Sequence, residues 1–156
     1  MRITQKAAAW WLSVTGLIPF VGLATITIIL PGYADLSYRA LIAYGMVILS
    51  FLGAIHWGAV LKQDSSDSRG ISNQERLSVG ALIWGVVPSL WAWVTGMFDP
   101  NMQGLWLVAG LLLALGVDLV AYKRYGFASW MLPIRWLATC GASLSLVWAS
   151  LIYRPI

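Results

Sequence analysis

The sequence predicts an all-α integral membrane bundle of five transmembrane helices, with the N-terminus cytoplasmic and the C-terminus outside. Three observations predict it. Of 156 residues, 60% are hydrophobic and 10% charged, with a mean hydropathy of +0.77; a soluble domain carries about 25% charged residues. Five apolar runs are each long enough to cross a hydrocarbon core of about 30 Å at about 1.5 Å per helical residue. The basic residues divide unevenly between the two sides that those runs define. Residues 1–156 read as a single domain.

Residues Met1 to Lys6 are polar and basic, and Ala7 to Leu30 carries no charge. The first span is placed at 8–30. Gly32-Tyr33-Ala34 could pass as a signal-peptide cleavage site, but the apolar stretch exceeds the usual h-region of about 7–15 residues. Gly16, Pro19 and Gly22 predict a bend within this span. Pro31 to Asp35 reads as a turn, and the second span follows at 38–61, with no charge between Arg39 and Lys62. Lys62 to Glu75 is the most hydrophilic connection, and Ser72-Asn73-Gln74-Glu75 has the capping-box spacing that opens a helix. The third span, 76–97, contains Trp84, Pro88, Trp91 and Trp93. Asp99-Pro100 supplies a cap and a first-turn proline for the fourth, 102–122, which is apolar except for Asp118. Gly126 to Pro133 reads as a turn or interfacial segment before the fifth span, 134–153.

With five spans, Arg2, Lys6, Lys62, Arg69, Arg76, Lys123, Arg124 and Arg135 fall on one side and only Arg39 and Arg154 on the other. Positively charged flanks stay inside, so the first group is cytoplasmic. The scatter of these charges along helix ends argues against nucleic-acid binding. The lone Cys140 cannot form an internal disulfide, suits a small packing position, and belongs to no zinc-ligand spacing. No internal repeat marks an inverted-repeat transporter.

The second span carries the only histidine, His56. A titratable group inside a membrane span is costly and therefore points to function; the competing reading is a polar tie between helices. His56 lies six residues before Lys62, and Asp118 five before Lys123, so both sit about 7–9 Å below the cytoplasmic end. Arg135, Trp84 and Trp57 reach the same level. Small residues at Ser50, Ala54 and Gly58, and at Gly110 and Ala114, have the spacing of closely packed membrane helices. Arg135, Thr139 and Ser143 form a polar stripe expected to face protein. An unpaired Asp118 would seek a cation or a proton, with His56 and Arg135 as the candidates. Trp10, Trp11, Trp130, Trp136, Trp106 and Trp148 suit interfacial belts, whereas Trp57 and Trp84 lie where a flat ligand could stack.

Tyr44-Gly45, Ser50-Phe51-Leu52-Gly53 and His56-Trp57-Gly58 resemble the signature of a membrane-protein family, domain of unknown function number 3429. Asp118, Trp130, Arg135 and Thr139 resemble its later motif, with Met131 standing where a tyrosine is expected. That family includes bacterial inner-membrane proteins and a mitochondrial transmembrane protein. The resemblance implies a small polytopic protein of an energy-transducing membrane and no particular reaction.

The leading functional expectation is a non-enzymatic, multi-pass protein of the inner (cytoplasmic) membrane. Its pocket would bind a quinone, a tetrapyrrole or a lipid through His56, Trp57, Trp84, Asp118, Arg135, Tyr44 and Thr139. Arg135 is expected to favour an anionic group. The alternatives are an accessory or assembly subunit of a respiratory or transport complex, and a proton-coupled carrier using His56 and Asp118. No nucleophile–base pair, phosphate loop or metal-ligand cluster supports an enzyme.

Overall fold

The computed structural model describes residues 5–64, 71–125 and 130–154. It contains five helices: α1 (Gln5–Ile29), α2 (Ala34–Asp64), α3 (Ile71–Thr95), α4 (Pro100–Tyr125) and α5 (Met131–Ile152). A short 3₁₀ turn, Pro31–Tyr33, joins the first two, and no strand occurs among the described residues. Helices α1, α2, α4 and α5 are each long and apolar enough to cross a membrane. In α3, a helix of 25 residues, the stretch Val79–Thr95 is an apolar helix among the described side chains.

The helices start earlier than the apolar runs do. Backbone hydrogen bonding continues into polar flanks, so a helix outlasts its hydrophobic stretch. α2 opens at Ala34 instead of 38, α3 at Ile71 instead of 76, and α5 at Met131 inside the expected turn. Pro133 is tolerated there because a first-turn residue donates no intrahelical bond. At α4 the expected start holds, since the Asp99 carbonyl accepts from the N–H groups of Met102 and Gln103 at 2.8 and 3.2 Å. The proposed capping box at Ser72 and Glu75 and the interfacial residues Gly126 to Ser129 lie outside the described side chains. α1 continues as a helix through Pro19, and α3 through Pro88.

α2 touches each of the other four helices, whereas α1, among the described residues, meets α2 and α5. The core lies along α2: Tyr38, Leu41 and Leu49 are wholly buried against Leu107 and Leu111 of α4, Leu146 of α5 and Phe20 of α1. Large apolar side chains cover the outside on every helix, including Leu12, Phe51, Ile83, Leu112 and Leu144. That surface would aggregate in water and suits a lipid bilayer.

Close packing on α2 uses a different row from the one expected. Ala54 and Gly58 are exposed, and a methyl at Gly58 would meet nothing, whereas one at Gly53 would strike the Gly85 carbonyl of α3. One residue turns a helix by about 100°, and spacing alone leaves that rotation open. The α4 row is as expected: Ala114 is buried, and a methyl at Gly110 would strike Leu49 and Trp91. Cys140 is exposed and does not serve as a packing residue.

At the end of the bundle where α1 finishes, Tyr38 and Tyr153 stack with ring centres 4.0 Å apart. The Tyr38 hydroxyl donates to the Pro100 carbonyl at 2.8 Å and lies 3.1 Å from Ser150 Oγ. Tyr153 donates to Asp35 at 2.6 Å, and Arg39 donates to the other oxygen of that carboxylate at 2.8 Å. These contacts join α2, α4 and α5.

Two outcomes follow from this packing. Gly53→Ala should lower stability by about 1–3 kcal/mol, the usual result of overpacking, while Gly22→Ala, whose added methyl meets nothing, should not; thermal unfolding in detergent compares them. Tyr153→Phe removes the hydroxyl that donates to the Asp35 carboxylate and should lower stability by about 1.5–3 kcal/mol; an unchanged melting temperature would refute this.

Candidate functional site

Arg135 stands in the second turn of α5, opposite Asp118 near the end of α4. Its Nε donates to Asp118 Oδ2 at 2.6 Å, and Nη2 donates to the same oxygen. His56 Nε2 of α2 lies 3.4 Å from the other carboxylate oxygen, Oδ1. The carboxylate thus joins three helices. His56 is 3% exposed, with Asp118 at 17% and Arg135 at 13%, so water screens the group little. Trp84 of α3 meets the imidazole edge-on, with centroids 6.5 Å apart and planes at 79°. Equal depth on four helices therefore becomes contact for His56, Asp118 and Arg135, with Trp84 at the margin.

The other candidate residues lie elsewhere. Trp57 follows His56 by one position and so points away from it; its indole donates to the Leu82 carbonyl at 3.0 Å, and a methyl at Gly85 would strike its ring. Tyr44 is twelve residues before His56, about 18 Å along the helix. Its hydroxyl donates to the Gly16 carbonyl at 2.9 Å, and its ring meets Phe20 edge-on. Thr139, one turn beyond Arg135, is buried. Among the described residues, no three His, Cys, Asp or Glu side chains converge as metal ligands.

A cleft of about 260 Å³ opens between α1, α2 and α5 beside the carboxylate group. Leu12, Leu17, Phe51, Ile55 and Ile134 form apolar wall, and Ser13, Arg135 and Thr139 supply polar atoms. His56, Asp118, Trp57 and Trp84 do not line it. Arg135 is the member of the ionic group that reaches the cleft. The α1 wall was not legible in the sequence, because a uniform apolar run does not show which of its faces is left unfilled. Asp35, Tyr38 and Tyr153 were also missed, although the depth comparison that grouped His56 with Asp118 would have brought Asp35 and Tyr153 to one end.

A family described as "Protein of unknown function (DUF3429)" matches residues 5–151. The chain belongs to this family. Its curated relatives include Transmembrane protein 69 of Xenopus tropicalis, 33% identical over 141 residues, which cover 89% of this chain and 52% of the relative. Transmembrane protein 69 of Mus musculus is 28% identical over 141 residues, covering 89% of this chain and 54% of the relative. The chain thus spans about half the length of these relatives. No solved structure matches it. Membership extends over all five helices and agrees with a multi-pass membrane protein.

Removing one member of a fully buried ion pair leaves the other uncompensated, at a cost of about 3–5 kcal/mol. The Arg135–Asp118 pair is part-buried, so Arg135→Gln should lose less, about 1.5–3 kcal/mol. Arg135→Gln combined with Asp118→Asn should recover part of the loss. Additive losses in thermal unfolding would show that the two side chains do not interact.

Proposed function

We propose that this protein is a non-enzymatic inner-membrane protein that holds one small amphiphile in the cleft between α1, α2 and α5. The observation carrying this reading is that Arg135, fastened by Asp118, is set in the wall of an otherwise largely apolar cleft. Apolar walls with a few convergent polar groups are the usual make-up of a small-molecule site. The ligand's apolar body lies along Leu17, Phe51 and Ile55, and its polar end meets Arg135 and Thr139. A volume of about 260 Å³ falls below the roughly 300–1,000 Å³ of drug-sized sites. One ring or one chain suits it better than a tetrapyrrole, leaving a quinone or a lipid.

The non-enzymatic reading rests on the commitment of these polar groups to one another: His56 and Asp118 lie off the cleft, away from a bound ligand. The division of basic residues supports an orientation with the cleft in the cytoplasmic half of the membrane. Ligand then arrives from the inner leaflet.

Ala138 lines the cleft, and Ala138→Phe should fill it. Native mass spectrometry of gently extracted protein should show about tenfold less bound amphiphile, equivalent to 1.4 kcal/mol, with an unchanged melting temperature. Equal occupancy in both proteins, or none in the wild type, would refute the proposal.

A further inference from the structure

The charge balance around Arg135 specifies the polar end of the ligand more narrowly. An isolated arginine in an apolar wall would select an anion. Here the guanidinium already faces a carboxylate, and with His56 uncharged the three side chains sum to zero. Arginine has five N–H donors. Nε–H and one Nη2–H are directed at Asp118 Oδ2, and the other three have no acceptor among the described residues. Arg135 therefore offers the cleft hydrogen-bond donors without a free positive charge.

We infer that the cleft selects neutral amphiphiles bearing a carbonyl oxygen, as in a quinone ring or a lipid ester, over anionic amphiphiles of the same length. This inference rests on the ligand-binding reading of the cleft. A carboxylate or phosphate entering the cleft would shed its hydration and meet a guanidinium already neutralised, with Asp118 repelling it from behind. A carbonyl oxygen gives up less hydration and accepts from a charged donor, which makes a strong hydrogen bond. Asp118 thus acts as a selectivity residue without lining the cleft.

The test compares methyl dodecanoate, dodecanoate and a decyl-substituted benzoquinone as probes. They are titrated into the full chain in nonionic detergent at about pH 8, above the ordinary histidine range, and binding is read by native mass spectrometry. Methyl dodecanoate and dodecanoate differ chiefly in charge, and wild type should prefer the ester by about tenfold. Whether the ester or the quinone binds more tightly distinguishes a lipid from a quinone source. Asp118→Asn leaves the guanidinium uncompensated and should reverse the order, with dodecanoate gaining about tenfold. Arg135→Gln should weaken the ester and the quinone together. Dodecanoate binding wild type as tightly as the ester would overturn the inference while leaving a ligand-binding cleft; this arm needs no variant to fold. If no probe binds wild type, or Ala138→Phe binds all three unchanged, the cleft reading itself fails.

Discussion

A carboxylate among membrane helices has no bulk water to fall back on, and the organisation of one end of this bundle follows from that constraint. Asp118 sits near the end of α4, where leaving it bare would be costly. The protein answers with Arg135 from α5 and the imidazole of His56 from α2. Each of these side chains would be poorly placed alone. Together they fasten three helices and fix the guanidinium so that one edge is occupied while the rest reaches the cleft beside α1. In the proposed reading, structural tie and ligand contact, treated as rivals when the sequence is read by itself, are two sides of one arginine.

The parts of this arrangement legible in the sequence are those that depend on distance along a helix. Depth follows from counting residues, so His56, Asp118, Arg135 and Trp84 could be placed at one level. Rotation about each helix axis does not follow from counting. That is why Gly53, not Gly58, makes the close approach to α3, why Trp57 points away from the imidazole, and why Cys140 faces outward. In a soluble helix an apolar stripe reveals the buried face. Here lipid and core are both apolar, and the stripe is lost. Helix starts were blurred for a related reason, because hydropathy marks what enters lipid and not where backbone hydrogen bonding begins.

The cleft was hidden because it is a shape and not a residue pattern. It arises where α1, bounded by α2 and α5, leaves space beside Phe51 and Ile134. Tyr44 marks its inner limit by bonding to the Gly16 carbonyl, since Gly16 itself lines the cleft.

Each end of the bundle carries its own fastening. At one, Arg135 of α5 and His56 of α2 meet around Asp118; at the other, Tyr153 reaches Asp35 while the paired tyrosine rings stack. α2, α4 and α5 therefore behave as a frame pinned at both ends. α1 is joined to α2 by hydroxyl contacts, Tyr44 to Gly16 and Thr27 to Ser37, and no described ion pair ties it to the frame. Of the two helices outside that frame, α1 is the one that lines the cleft, so its distance from α2 and α5 sets the width of the opening.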